Sequence, residues 1–150
     1  MAYRSTKRYG HDLGLSACFR QPKATHSHCS LLHGYALAFA FVFEADELDD
    51  RNWVMDFGAL KGLKQALVNN FDHKLLVAAD DPKIGEIVDL VGHGIAEVHV
   101  LEAVGCEAFA KLAYDLAVLQ LKGLGIQDRV RVISCECAEH GANSAIYSIE

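Results

Sequence analysis

The segment from Tyr35 to Phe43 restricts the possible folds of this chain more than any other part of its sequence. Large side chains alternate with small ones along it; the large residues are Tyr35, Leu37, Phe39, Phe41 and Phe43, and the small ones include Ala36, Ala38 and Ala40. Because successive strand residues point to opposite faces, this period of two predicts a β-strand. The alanine face is expected to lie against another layer or another subunit, so both faces of the strand are predicted to be covered.

Three other segments show the three- and four-residue spacing that is typical of one helical face. They run from Gly58 to Phe71, from Pro82 to Val91, and from Cys106 to Lys122. Glycines follow the second and third segments, as is common at helix C-termini. Glu107 falls in the first turn of the third segment, where the helix dipole favours a carboxylate.

The remaining apolar segments predict strands. A first strand is expected within Thr6–Arg20, a brief one at Val98–Leu101, and a closing hairpin from Arg129–Cys135 and Asn143–Ile149. Together these elements predict one α+β domain over residues 1–150, with a four-stranded antiparallel sheet and two long helices on one face. Such a sheet has two free edges, and the apolar content predicts that other copies of the chain cover them.

Composition and charge exclude several classes of function. The chain has 150 residues, 51% of them hydrophobic, so one folded domain is expected rather than a disordered segment. The net charge is −6 and no basic block occurs, which argues against nucleic-acid binding and favours a small-molecule partner. The longest apolar run is too short to cross a bilayer, and no apolar stretch follows the basic residues near the start, so a cytoplasmic location is expected. Five scattered cysteines, an odd number, predict reduced thiols.

Reactive side chains concentrate in and just after the long connection between Gln21 and Leu32. The connection holds His26, His28 and Cys29, and His33 follows the cysteine by four positions. A cysteine and a histidine at this spacing are consistent with a nucleophile and its base, with metal ligands, or with chance. Long loops that carry such side chains are often functional.

Three acidic residues outside this connection are also candidates. Asp72 precedes His73 directly after the first long helix, and a carboxylate beside a histidine can orient the ring and raise its basicity. Glu107 is consistent with an ordinary helix cap as well as with a ligand-binding group. Glu136 lies between two cysteines in a predicted strand, so it must either point outward at the rim or be paired if it is buried.

Taken together and in order, these residues resemble a known family over essentially the full chain. The matching segments are Leu15-Ser16-Ala17-Cys18-Phe19-Arg20, Cys29-x-x-x-His33-Gly34, Val54-Met55-Asp56-Phe57-Gly58-x-Leu60-Lys61, Phe71-Asp72-His73, Gly105-Cys106-Glu107, and Val130-x-Val132 leading to Glu136. The sequence is similar in these segments to the 6-pyruvoyltetrahydropterin synthase and 6-carboxytetrahydropterin synthase family.

The resemblance implies a T-fold, in which subunits join their sheets into a β-barrel, two barrels stack as a homohexamer, and active sites lie between subunits. By position, Cys29, Asp72 and His73 match the proton-transfer group of the family. Glu107 and Glu136 match its pterin-holding carboxylates, and Cys106 lies in the same substrate-binding motif. The resemblance implies a pterin or purine-like ligand, and it implies that the reaction of the family is that of a lyase.

The sequence departs from the family at the zinc site. Family members hold zinc with three histidines, whereas here Phe19 and Tyr35 occupy two of those positions and only His33 remains. One imidazole cannot replace the three protein ligands of a catalytic zinc site, so no metal and no cofactor are expected. A rearranged zinc site built from His26, His28 and His33 is the less favoured alternative.

Three functions are consistent with the sequence. The favoured one is a zinc-free homologue that binds a pterin-like heterocycle at subunit interfaces and lacks the parent synthase activity. The second is an active synthase with a rearranged zinc site, in which Cys29, Asp72 and His73 transfer protons. The third is a non-catalytic structural oligomer, in which the same residues serve only packing and helix capping.

Overall fold

A computed structural model describes all 150 residues and contains seven β-strands and three α-helices. The strands are β1 (Tyr3–Tyr9), β2 (Leu15–Phe19), β3 (His33–Ala45), β4 (Lys74–Ala78), β5 (Val98–Leu101), β6 (Val130–His140) and β7 (Asn143–Ser148). The helices are α1 (Lys61–Phe71), α2 (Ile84–Gly92) and α3 (Cys106–Leu124). None of these helices has the length and apolar character needed to cross a membrane.

The strand predicted from Tyr35 to Phe43 is confirmed as the centre of the sheet, and β3 extends it at both ends. One edge of β3 pairs antiparallel with β6, and the other edge pairs antiparallel with β1 and β2 in succession. The prediction of one strand within Thr6–Arg20 is wrong, because the chain turns between Gly10 and Gly14. Gly14 adopts a left-handed φ of 74° there, which breaks the run into two strands.

The prediction of a four-stranded, wholly antiparallel sheet is also wrong. The sheet runs in the order β5-β4-β2-β3-β6-β7, with β1 beside β3, and the β2–β4 and β4–β5 pairs are parallel. Helix α2 connects β4 to β5, because two parallel neighbours need a crossover connection. The sequence pattern did not reveal β4, and the brief Val98–Leu101 strand is confirmed as β5.

The bulky face of β3 forms the core together with the two long helices. Leu37, Phe39, Phe41 and Phe43 are fully or almost fully buried in one cluster with residues of α1 and α3. The two long helices therefore lie on one face of the sheet, as predicted. Helix α2 lies on the other face, where Ile87 packs in a separate small cluster with side chains of β4.

Helix boundaries agree with the sequence except at the start of α1. The segment before Lys61 forms a 3-10 turn, because the Asp56 carboxylate accepts a hydrogen bond from the Gly58 amide and tightens the chain there. Helix α3 begins at Cys106 and ends before Gly125, whose left-handed φ of 71° closes it. The closing hairpin is confirmed as β6 and β7.

Candidate functional site

A cavity of about 190 Å³ lies where three parts of the chain meet: the connection after β2, the start of α3, and the β6–β7 hairpin. Its reactive side chains are Cys29, His33, Cys106, Glu107 and Glu139. Four of these five residues were candidates from the sequence, and Glu139 was not. The cavity therefore brings together reactive side chains from three separate parts of the chain.

A larger groove of about 400 Å³ beside Trp53 is a weaker candidate. Its two charged side chains already have partners within the protein. Arg4 forms an ion pair with Glu44, and the Asp56 carboxylate accepts the Gly58 amide. Side chains that already have an ion-pair or hydrogen-bond partner are less able to bind a ligand.

Hydrogen bonds hold the loop that carries Cys29 in place. The Cys29 amide donates to Ser27 Oγ at 3.1 Å, and its carbonyl accepts the Gln21 amide at 2.7 Å. Arg20 donates to the Ser30 carbonyl at 3.0 Å and to both carboxylate oxygens of Asp81 at 2.7 and 2.9 Å. The Arg20 guanidinium holds the pKa of Asp81 below its usual value, although burial of that carboxyl acts in the opposite direction. This ion pair anchors the loop to the segment after β4.

Gly105 brings the start of α3 to the cavity. Its φ of 115° lies in a region that only glycine adopts readily. A Cβ at this position would lie 2.6 Å from Gln21 Nε2, which donates to the Val104 carbonyl at 2.7 Å. Glycine is therefore required at position 105, because the backbone conformation disfavours other residues and because there is no space for a Cβ.

The thiols of Cys106 and Cys137 are neighbours behind the cavity wall. Their interaction lowers the pKa of Cys106 and raises the pKa of Cys137, where burial adds to the increase. Cys106 Sγ also lies 4.0 Å from Glu139 Oε2. This contact places Glu139 on the same side of β6 as the buried Cys137.

Glu136 does not lie in this cavity. It points to the other face of β6, where it accepts a hydrogen bond from Ser144 Oγ at 3.2 Å and lines a neighbouring groove with His11. Strand parity is the sequence signal for this difference, and the pterin-binding role predicted for Glu136 stays a prediction. Glu139 is an even number of positions from the buried Cys137, whereas Glu136 is adjacent to it.

Asp72 and His73 lie at the turn from α1 into β4, and neither lines the cavity of their own subunit. Asp72 Oδ1 is 3.0 Å from His73 Nδ1 and accepts the Ser16 amide at 3.0 Å. Partial burial would raise the pKa of Asp72, but the hydrogen bonds from Ser16 and His73 outweigh it and hold that pKa below its usual value. The His73 side chain is 81% exposed, so its imidazole faces away from its own subunit, whereas Asp72 is mostly buried.

Aromatic rings occupy the three positions at which the resemblance implies zinc ligands. We call Phe19, His33 and Tyr35 the ring cluster; its ring centroids are separated by 5.1 Å (Phe19–His33), 5.3 Å (His33–Tyr35) and 6.1 Å (Phe19–Tyr35). Phe19 is 2% exposed and also packs edge-on against Phe109. Phe19 is thus part of the core, Tyr35 packs against the core, and His33 is partly exposed at the cavity.

The donor set of the ring cluster does not fit zinc. Phenylalanine has no donor atom, and burial raises the pKa of Tyr35, which keeps its phenol protonated. The chain also has no group of three or more His, Cys, Asp or Glu side chains arranged to hold a metal ion, so the structure does not bring His26, His28 and His33 together as ligands.

The fold and the sequence agree with one family in comparisons with known proteins. The family model for 6-pyruvoyl tetrahydropterin synthase matches residues 11–150. A 6-carboxy-5,6,7,8-tetrahydropterin synthase of Aquifex aeolicus is 27% identical over 139 residues, which cover 91% of this chain and 85% of the relative.

Solved structures show the same fold. An uncharacterized protein of Wolinella succinogenes superposes with a TM-score of 0.81 at 19% identity, covering 100% of this chain and 99% of the other. A 6-pyruvoyl tetrahydropterin synthase of Plasmodium falciparum superposes with a TM-score of 0.70 at 12% identity, covering 97% and 96% of the two chains. The fold is thus the T-fold, and the chain belongs to the 6-pyruvoyl tetrahydropterin synthase family.

Proposed function

We propose that this protein binds a pterin-like heterocycle at the interfaces of a homo-oligomer, without zinc and without the parent synthase activity. The observation that carries the proposal is the cavity that brings Glu107 and Glu139 together with Cys29. Neither carboxylate forms a salt bridge with a lysine or arginine of its own subunit. Glu107 is therefore free to accept from a ligand, and Glu139, which accepts from Asn143 Nδ2 at 3.4 Å, has no ion pair to break.

A pterin supplies donors that suit these carboxylates. The 2-amino-4-oxo-pyrimidine edge presents two neighbouring N–H groups, and a carboxylate accepts two parallel hydrogen bonds from such an edge. In this proposal Glu139 takes the part that the sequence predicted for Glu136, because it lies in the same cavity as Glu107. Cys106 forms the wall between them and contacts the ligand edge.

Proton transfer, where it occurs, involves Cys29 of one subunit and the Asp72–His73 pair of a neighbour. The pair is ordered by the Ser16 amide and its imidazole is exposed, as a group that completes another subunit's site must be. The resemblance implies a homohexamer with sites between subunits, and we propose that assembly here. The outer edge of β7 has no strand partner within the subunit, and Ile146 on this strand is 63% exposed, which is consistent with such contacts.

The absence of the parent activity follows from the ring cluster. A zinc ion in a catalytic site polarises substrate oxygens and so acidifies neighbouring C–H bonds. Phe19 and the protonated Tyr35 supply no charge for that purpose. The turnover of dihydroneopterin triphosphate is therefore expected to be lost or very slow.

An active synthase is the second candidate, favoured by the name of the Aquifex aeolicus relative and by the presence of Cys29 in the cavity. Metal analysis distinguishes the two candidates. Protein purified without chelator should contain almost no zinc if our proposal holds, whereas one zinc per subunit together with turnover would support the synthase.

Titration with neopterin tests the binding proposal directly. We expect Glu107→Gln and Glu139→Gln each to weaken binding by about 1.5–3 kcal/mol, because each removes a charge-assisted hydrogen bond. Glu136→Gln removes the same charge from the opposite face of the same strand, and it shows whether Glu139 or the carboxylate predicted from the resemblance holds the ring. Failure of the wild-type protein to bind neopterin or biopterin would contradict the proposal and favour a structural oligomer.

A further inference from the structure

Cys106 and Cys137 form a pair of thiols, one at the cavity surface and one in the core behind it. Cys106 is the first residue of α3, lines the cavity and is 9% exposed, whereas Cys137 lies on β6 and is fully buried. The proposed function uses Cys106 only as part of the cavity wall, and it gives Cys137 no role. Both cysteines are free thiols in the structure.

The first turn of α3 rests on the face of β6 that carries Cys137. Cys106 Sγ lies 4.0 Å from Glu139 Oε2, on the same side of β6 as Cys137. Both cysteines belong to one core cluster, and their thiols are close enough to change each other's pKa. Cys135 is also buried on this face, but it lies about 7 Å further along the strand. Its thiol donates to the Glu136 carbonyl at 3.7 Å.

The two thiols differ as the members of a redox-active pair do. Cys106 lies in the first turn of a 19-residue helix, where the helix dipole favours a thiolate. Contact with the Cys137 thiol lowers the pKa of Cys106, and this outweighs burial and the carboxylates of Glu139 and Glu107, which act in the opposite direction. The same contact, together with burial, raises the pKa of Cys137, so that this thiol stays protonated. Cys106 is therefore the thiol that reacts first.

We propose that Cys106 and Cys137 are a redox-active pair, which a hydroperoxide entering the cavity converts into a disulfide between the start of α3 and β6. The pair does not depend on which ligand the cavity binds. Glu107 follows Cys106 directly and Glu139 is two positions after Cys137, so the disulfide fixes the two carboxylates of the cavity relative to each other.

The oxidation balances with hydrogen peroxide as the oxidant. The Cys106 thiolate sulfur attacks one peroxide oxygen and the O–O bond breaks, which leaves a sulfenic acid and a hydroxide that takes up the proton lost by Cys106. The Cys137 sulfur then attacks the Cys106 sulfur. The S–S bond forms, the S–O bond breaks, and the hydroxide leaves with the Cys137 proton as water. Two thiols thus give up two electrons, and the peroxide becomes two waters.

Peptide mapping of the assembled protein after brief treatment with hydrogen peroxide tests the pair. Trypsin cuts after lysine and arginine, so Cys106 lies in the peptide 84–111 and Cys137 in the peptide 132–150. Under non-reducing conditions we expect these two peptides to be linked, with a mass two hydrogens below their sum. Dithiothreitol should separate them, because the disulfide is reversible.

Three variants locate the bond. Cys135→Ala is the matched control, since it removes the other buried thiol of the peptide 132–150, and it should leave the link intact. Cys137→Ala should abolish the link and leave a sulfenic acid at Cys106, which dimedone labels. Cys29→Ser removes the other thiol of the cavity, and the link should persist in it.

Four results would overturn the pair. A link that survives Cys137→Ala, or one that is lost in Cys135→Ala, would assign the bond to Cys135. A link between Cys106 and the peptide that contains Cys29 would show that the two cavity thiols react with each other instead. No linked peptide from wild-type protein, at a peroxide concentration that oxidises Cys29, would show that Cys106 is unreactive. The wild-type map needs no variant to fold, and none of these results changes what neopterin titration says of the proposed function.

Discussion

Two neighbouring groups of side chains in this protein differ in how they are packed and in the contacts that they make. The ring cluster of Phe19, His33 and Tyr35 is packed into the protein, with Phe19 almost completely buried against Phe109. Glu107 and Glu139 face the adjoining cavity and form no salt bridges with basic residues. At the first place an apolar ring replaces an expected metal donor, whereas at the second place two carboxylates remain at the cavity surface, Glu107 exposed and Glu139 accepting from Asn143 Nδ2 at 3.4 Å. This contrast is the one that the proposed function requires, since a zinc-free binding site would keep ligand-binding groups and lack metal donors.

Restoring the missing donors is the strongest test of that comparison. The combined change Phe19→His and Tyr35→His places three imidazoles where ring centroids now lie 5.1 to 6.1 Å apart. Three histidines on one tetrahedral zinc have ring centroids about 5 Å apart, given Zn–N bonds of about 2 Å. We expect zinc content to rise from almost none to about one per subunit by elemental analysis.

Adding His33→Ala to the restored site should abolish the zinc uptake. This triple variant keeps the new imidazoles and removes only the third ligand, so it separates a three-histidine site from adventitious binding. A restored double variant that still binds no zinc would show that the backbone, and not only the donor set, has left the metal-binding geometry.

The packing role of the ring cluster gives the next largest effect. Phe19→Ala should lower the free energy of unfolding by about 3–5 kcal/mol, because it leaves a cavity against Phe109 in the core. Phe57→Ala is the control, since Phe57 is 39% exposed and its loss should cost much less. Urea denaturation measures both, and equal losses for the two variants would contradict the role assigned to Phe19.

The sequence predicted the strands and helices whose two faces carry different kinds of side chain. It missed β4, whose two faces are both apolar. Strand β3 alternates bulky core residues with alanines, and α3 has one apolar side, so both were recognised from their periods. In β4, by contrast, Leu75 and Val77 face α2 while Leu76 faces the main core. A strand buried on both sides has no alternation to detect.

The candidate site was predictable in part for similar reasons. Cys29, Cys106 and Glu107 lie in local motifs, and the structure brings all three to one cavity. Strand parity, which is present in the sequence, places Glu136 and Glu139 on opposite faces of β6, and the pterin-binding role predicted for Glu136 stays a prediction. The joining of distant segments around the cavity depends on pairings such as β2 with β4, which no local pattern encodes.

The anchor of the Cys29 loop links stability to the site. Asp81→Asn should lower the free energy of unfolding by about 2–3 kcal/mol, because it leaves Arg20 without its buried partner. The pKa of Asp81 is below its ordinary value of 3.8 in the folded protein. The stabilisation is therefore complete well above pH 3.8 and is lost as the pH falls through the lowered pKa. An acid-unfolding series compares the variant with the wild type.

That series has a clear contrary result. If the stability difference between Asp81→Asn and the wild type stayed constant from neutral pH down to about pH 2, the carboxylate would not be the source of the effect. Lys23→Met, which removes the exposed Lys23–Asp80 pair nearby, is the matched control and should change stability by less than about 1 kcal/mol.

Gly105→Ala should lower the free energy of unfolding least among these variants, yet it should still weaken neopterin binding. An effect on binding that exceeds the effect on stability would distinguish the cavity from the packed ring cluster. Alanine at a φ of 115° is strained by about 1–3 kcal/mol, and its Cβ would push Gln21 away from the Val104 carbonyl. Because Gly105 caps α3 immediately before Cys106 and Glu107, that displacement moves the carboxylate relative to Glu139. We expect weaker neopterin binding than the stability loss alone explains, measured by titration at a temperature where the variant is fully folded. Gly123→Ala, in the same helix where an added Cβ meets nothing within 4 Å, should leave binding unchanged.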